Sequence, residues 1–321
     1  MFLELEAVDA LEDRSASRSL QAVLARCRDG QHTLVVDDPE AFFSSTFWRE
    51  FVAPGDQAEV AELIRRAAAG GGYLGRSADP EPIAFAVLAR VEAVQTTGRH
   101  RWRVPVTDAT RFVEAPLLVL LEDMDDHAVL VGAARVYGVA GFVDAVSRGD
   151  RWIRFEHGGG ADGIRRLIEA SDEGSRIVAI HDADHGDPVA EKRAAAVTKA
   201  CEERDWCVDH TWEQREIDNY LPACLLVAAT GSRKAGYRRW ERMSDDERDR
   251  VDMAVLFSGW EKDRLQKALA SPGTSAPQSG KNWLKGRILA FADLGPDQRG
   301  AVDARGGAEL SGLLRRLEQL L

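Results

Sequence analysis

The segment HDADHGD, residues 181–187, closes an apolar run, RIVAI, and precedes a Pro-led stretch with helical spacing. Asp182 and Asp184 share strand alternation, so both carboxylates project the same way if the strand extends that far. Two carboxylates held together repel, and each raises the other's pKa unless a cation lies between them. Divalent-metal binding is therefore the first chemistry to weigh, against an Asx-type turn that caps the next helix. A second acidic group, Glu122-Asp123-Met124-Asp125-Asp126, follows the apolar run PLLVLL. Alone, it reads first as a solvated helix N-terminus, where carboxylates favour the dipole. Together, a Glu and an Asp-x-Asp from two strand ends supply the several oxygen donors that hard divalent cations take. Gly158, Gly159 and Gly160 form a third feature, either a flexible turn or a place where backbone can approach a phosphate closely. His157, His181 and His185 flank these groups as supporting candidates.

The elements that must carry these residues follow a rhythm of strand, turn and helix from Ala115 onward. PLLVLL leads into the helical spacing of DDHAVLVGAARVYG, RWIRFE into HGGGADG and IRRLIEAS, and RIVAI into AEKRAAAVTKACEERD, before a fourth strand in WCVDHTW. Such alternation implies right-handed crossovers and a mainly parallel sheet covered by helices. Ligands of these sheets bind outside the C-terminal strand ends, where Glu122, Gly158–Gly160 and Asp182 with Asp184 fall. The first 112 residues differ. A helix over EAVDALEDRSASRSLQAVLARCR precedes a short strand, HTLVV, and a second helix, QAEVAELIRRAAA, is expected to stop at Gly70–Gly72. IAFAVLARVEAV and HRWRVPV form a hairpin around TTGR, unless the first half is helical. The region after EQREIDNYLP is mostly helical, with a Pro/Gly/Ser-rich loop at 271–280 and an amphipathic tail, AELSGLLRRLEQLL. The expected organisation is an N-terminal α+β region over 1–112, an α/β domain with a helical insertion over 113–300, and a C-terminal helix over 301–321.

Composition narrows the function classes. The hydrophobic fraction of 45% and charged fraction of 30% are those of a folded globular protein. No apolar run approaches the ~20 residues that cross a bilayer, so no membrane partner is expected. The acidic N-terminus shows no basic leader, and Cys27, Cys201, Cys207 and Cys224 form no CxxC pair. A cytoplasmic chain with reduced thiols is the expectation. The net charge of −11 argues against a nonspecific polyanion binder. It does not exclude a nuclease, whose metal site counts as negative until its ions bind. RRWERMSDDERDR and GRHRWR are candidate basic patches, each read first as a solvated face. There is no GxxxxGK[ST], no GxSxG and no Cys/His pair of catalytic type. The haloacid-dehalogenase signature calls for Thr or Val soon after its Asp-x-Asp, where this chain has His185 and Gly186.

A strand ending in Glu, a Gly-rich turn and a strand ending in Asp-x-Asp, in that order, resemble the TOPRIM domain of topoisomerases, bacterial primases and OLD-family nucleases. LLVLLEDMDDHAVL is similar to the opening motif, with Glu122 as its Glu, Asp126 as its second acid and Asp123 where the family has Gly. HDADHGD supplies Asp182 and Asp184. REIDNYLP, with Glu216 and Asp218, resembles a segment of OLD-like nucleases and stand-alone TOPRIM defence proteins, and SGKNWLK, with Lys281 and Lys285, their later Gly-Lys segment. The resemblance spans about residues 115–290 and implies a TOPRIM-like Rossmannoid sheet and metal-dependent phosphodiester hydrolysis of DNA or RNA. It assigns Glu122, Asp182 and Asp184 to one Mg²⁺ or Mn²⁺, and Asp126 with Glu216 or Asp218 to a second. Lys281 or Lys285 would neutralise phosphate charge, while Glu122 is alternatively a general acid/base. It further implies anti-phage defence under a separate ATPase sensor, since this chain has no P-loop of its own. A second copy of the chain is a further candidate partner. The competing class is a non-catalytic nucleotide- or partner-binding module on a doubly wound α/β fold.

Overall fold

The computed structural model describes residues 2–3, 14–29, 32, 34–36, 38–74, 85–89, 91, 95–98, 101–149, 151–172, 175–183, 188–214, 216–227, 229, 233–258 and 278–321. Residues 6–13 of the expected first helix, most of the 271–280 loop, and Asp184 with His185 lie outside them.

Short apolar runs in the first hundred residues build one sheet. Its elements are β1 (Phe2–Leu3), α1 (Arg14–Arg28), β2 (Val35–Val36), α2 (Gln57–Leu74), β3 (Phe85–Ala89), β4 (Gln95–Gly98), β5 (Arg101–Pro105) and α3 (Ala109–Glu114). The strand order is β2-β1-β3-β5-β4, parallel except where β4 runs against β5. The hairpin is therefore QTTG with RWRVP. FAVLA is a strand, but it pairs in parallel with β5 instead of forming the hairpin arm. The expected stop at Gly70–Gly72 is also corrected, because α2 continues through it to Leu74. Glycine weakens a helix by about 1 kcal/mol per residue relative to Ala, but only a capping conformation ends one. Leu20, Val23, Phe42, Phe47, Ile64 and Val104 are among the buried side chains of this unit's core.

The second sheet is β6 (Leu117–Leu121), β7 (Ile153–His157), β8 (Arg176–His181) and β9 (Cys207–Thr211), all parallel, in the order β7-β6-β8-β9. Its central strands read as unbroken apolar runs because helices cover both faces. Leu117, Val119, Leu121, Val178 and Ile180 point to one face, toward α4 (His127–Tyr137) and α5 (Ala140–Arg148). Leu120, Ile177 and Ala179 point to the other, against α6 (Ala161–Glu169) and α7 (Pro188–Glu202). The expected α/β class, a parallel sheet flanked by helices, is what the chain forms.

Beyond β9 the described residues are mainly helical, including α8 (Arg233–Arg242), α9 (Gln278–Phe291) and α10 (Gly307–Leu320). The tail helix is no appendage. Leu310, Leu313, Leu314, Leu317 and Leu320 recur at helical spacing and are buried in the same core as β6 and α4. Fully burying each such leucine contributes roughly 1.5–3 kcal/mol. Among the described residues no helix is long and apolar enough to cross a membrane.

Candidate functional site

Register places the site. β6 and β8 are neighbours, so the residues just past Leu121 and His181 leave the sheet side by side. The Asp182 N–H donates to Glu122 Oε1 at 3.2 Å, joining the two strand ends directly. Asp182 Oδ1 in turn accepts the Ile217 N–H at 3.0 Å. That bond draws in the short 3-10 turn Ile217–Tyr220, which Glu216 precedes and which contains Asp218. Three segments read separately in the sequence thus meet in one chain of hydrogen bonds.

The acids after β6 divide by role. Asp123 Oδ1 accepts the Asp125 N–H at 3.1 Å, and Asp126 Oδ2 accepts the Asp123 N–H at 3.0 Å. This reciprocal capping starts the 3-10 turn Met124–Asp126 that leads into α4, so Asp123 works as the cap of that turn. Asp126 is buried; desolvation, with added repulsion from Asp123, Glu122 and Asp125, pushes its carboxyl up to about 7. Asp218 goes the same way, well above the usual carboxylate range, through burial first and then the charges of Glu216, Asp126, Asp252 and Asp123. Its Oδ1 is enclosed and has no hydrogen-bond partner among the described residues. Acids that crowd and repel in this way suit a cation between them.

Of the two lysines, Lys285 on α9 forms an ion pair with Asp125, which brings that helix to the acidic turn. The carboxylate beside it raises the Lys285 ammonium's pKa. Lys281, one turn earlier on α9, is exposed.

The glycine triplet is needed by the fold itself. Gly159 and Gly160 have φ of 67° and 105°, backbone that favours glycine. Gly158 N–H donates to Leu121 O at 3.0 Å and Gly160 N–H to Glu122 O at 3.4 Å. Two of the three amides that a phosphate would use are thus bonded to the end of β6, and a methyl group on Gly163 would overlap the Gly158 carbonyl. His181 is a packed, neutral histidine. Burial lowers its pKa, and its Nε2 lies 3.2 Å from Thr211 Oγ1.

What backs the 217–220 turn is set by residues distant in sequence. Asn219 Oδ1 accepts the Glu216 N–H at 3.2 Å, and its Nδ2 donates to Arg248 O and Val251 O at 2.6 and 3.0 Å. The buried Arg305 donates to Asn219 O at 2.8 Å, Asp249 Oδ1 at 3.0 Å and Gln214 Oε1 at 3.2 Å. Tyr220 hydroxyl donates to Glu309 on α10. The asparagine in REIDNYLP was the one visible hint, because a buried Asn must find several partners.

Metal fit is mixed in one respect only. The donors are hard oxygens, one of them an orphaned buried atom, as a divalent cation takes. Among the described residues, however, no three His, Cys, Asp or Glu side chains stand close enough to hold an ion. Asp184, the other carboxylate of the Asp-x-Asp pair, lies outside those residues. No protein-family model, curated protein or solved structure matches the chain.

Proposed function

We propose that the chain is a metal-dependent nuclease with a TOPRIM-like acidic site. It hydrolyses phosphodiester bonds in DNA or RNA and acts as an anti-phage effector under a separate ATPase. The observation that carries this is the Glu122–Asp182 link between neighbouring parallel strand ends, at the sheet edge where ligands bind. Glu122, Asp182 and Asp184 would hold Mg²⁺ or Mn²⁺, with Asp126, Glu216 and Asp218 lending negative charge nearby. The metal, when bound, supplies charge neutralisation at the phosphate and acidifies the attacking water.

The chain's own residues then do three things. The Asp182 and Ile217 amides fix the Glu122 and Asp182 carboxylates in orientation. Asp125 holds the Lys285 ammonium beside the acidic turn, where it offsets charge developing on the scissile phosphate. Lys281, exposed one turn away, can meet a neighbouring phosphate.

The test is cleavage of plasmid, single-stranded DNA and tRNA with Mg²⁺ or Mn²⁺, run beside overexpression in a host cell. Cleavage, or toxicity removed by Glu122→Ala, supports the nuclease. No cleavage of any substrate, with toxicity undiminished in both Glu122→Ala and Asp182→Ala, would return the chain to a non-catalytic nucleotide- or partner-binding module.

A further inference from the structure

Helix α8, RKAGYRRWER, is basic in a chain of net charge −11: five of its ten residues are Arg or Lys and one is Glu. Lys234, Arg238 and Arg242 recur every four residues and are exposed. They form one stripe, each side chain about 6 Å further along the axis than the last. A basic stripe is usually neutralised by nearby acids, and here the nearby acids are engaged elsewhere. Glu241 lies beside the Tyr237 hydroxyl. On the next helix, Asp245 pairs with Arg248 at 3.1 Å, Asp246 with Arg250 at 2.9 Å and Asp249 with Arg305 at 3.0 Å, while Glu247 caps Ser244 N–H at 2.8 Å. Among the described residues, no carboxylate pairs with Lys234, Arg238 or Arg242.

The helix that carries the stripe is also linked by packing to α9. Gly236 of α8 lies against the Leu256 carbonyl, and Gly280 of α9 against the Ala254 carbonyl, so closely that a methyl group on either would overlap it. The short helix Met253–Leu256 is thus clamped between α8 and α9, and α9 carries Lys281 and the Lys285 that reaches Asp125.

We infer that Lys234, Arg238 and Arg242 form a docking track for the phosphate backbone of a nucleic acid, continued toward the acidic turn by Lys281 and Lys285. This rests on the nuclease reading for its purpose, but its chemistry is that of any phosphate strand. Such contacts position a strand without reading its sequence. They also explain how an acidic chain engages a polyanion: the negative charge sits at the strand ends and the positive charge on the flanking helix.

The experiment uses the full chain in EDTA, so that binding is measured without cleavage. Fluorescence anisotropy is read on labelled single-stranded DNA, duplex DNA and single-stranded RNA over a range of salt. The variant is Lys234→Gln with Arg238→Gln and Arg242→Gln. Its control is Arg18→Gln with Arg66→Gln and Arg315→Gln, three exposed sites that give the same net charge. The stripe variant should bind at least about tenfold more weakly on the preferred strand, and its slope of log affinity against log salt should fall by about 2 for three lost single-strand contacts. The control should bind like wild type. Which probe binds best separates DNA from RNA as the source of the phosphates.

Equal binding by the stripe variant and its control overturns the track, as does a wild type that binds none of the probes. Should the triple variant fail to fold, Arg238→Gln alone must lower the salt slope by about 0.7, or the track is overturned. If the stripe variant loses binding but wild type never cuts with added metal, the track stands and the hydrolytic reading falls. If wild type cuts, and the stripe variant binds and cuts equally well, the track alone falls.

Discussion

Past β2 in the first sheet, Asp38 accepts the Ala41 N–H at 3.0 Å and caps the short helix Pro39–Ser44. Past β6 and β8 in the second sheet, Glu122 and Asp182 bond to residues 60 and 35 positions away. Both sheets are largely parallel and both follow strands with acids, yet the acids behave differently. An acid after a strand is a helix cap when its own turn supplies the partner. It joins distant segments when the fold supplies the partner. Asp123 shows the first behaviour inside the second sheet, one residue from Glu122, which shows the other.

The contrast breaks most visibly in activity. Glu122→Ala should lower metal-dependent cleavage by roughly 10³-fold, about 4 kcal/mol in the barrier. Asp38→Ala should leave the rate within about twofold of wild type. The measurement is initial rate on the best substrate at saturating Mg²⁺. Equal losses in the two variants would mean that the site is not confined to the second sheet.

The next largest effect is on stability. The second sheet's site leans on Arg305, whose side chain is 4% exposed and tied to Asn219, Asp249 and Gln214. Arg305→Ala leaves the buried Asn219 carbonyl and Gln214 side-chain oxygen without their donor, while the part-exposed Asp249 stays solvated, and should cost about 2–4 kcal/mol in urea unfolding. Arg250→Ala removes an exposed ion pair with Asp246 and should cost less than about 1 kcal/mol. If the two costs are equal, the 217–220 turn does not depend on the network behind it.

What the sequence disclosed follows the same division. LLVLL and RIVAI were legible as buried parallel strands because both of their faces are covered, which leaves no polar alternation. The convergence of Glu122 and Asp182 was legible because neighbouring strands in such sheets end together. Arg305 was not, because it lies 86 residues from Asn219 and no local pattern carries that distance. The hairpin was misassigned because QTTG is polar and weakly patterned, whereas FAVLA looked like its natural arm. The double role of Asp126 was in principle readable. Two aspartates three residues apart at a helical start are a capping pair, as the reading of this segment as a helix N-terminus implies.

Crowded acids should also make the second sheet sensitive to pH. Asp126 is raised to about 7 in the folded chain, against an ordinary value near 4 when unfolded. The native state therefore holds a proton that the unfolded chain has lost. This contribution is fully present below pH ~4 and disappears as pH rises through 7. Stability should fall between about pH 4 and 7 by up to about 1.4 kcal/mol per unit from this group, and Asp218 adds in the same direction. Asp126→Asn should flatten the profile, and millimolar Mg²⁺ should raise the melting temperature at pH 8 by binding only the native state. A wild-type profile as flat as that of the variant would mean that the carboxyl is not crowded in solution.

The smallest effect decides where the boundary between cap and site runs. Asn is as good a helix cap as Asp because its side-chain oxygen accepts the same N–H, but it carries no charge and makes a poor ligand for a hard cation. Asp38→Asn should therefore change stability by less than about 0.5 kcal/mol and leave cleavage unaltered. If Asp123 is only a cap, Asp123→Asn should match it on both counts, since the bond from Asp125 N–H survives. A hundredfold fall in cleavage with unchanged melting would instead make Asp123 a ligand that also caps. The acid standing where the resembling family has Gly would then be an added charge at the metal, and the line between the two behaviours would run after Asp123 rather than before it.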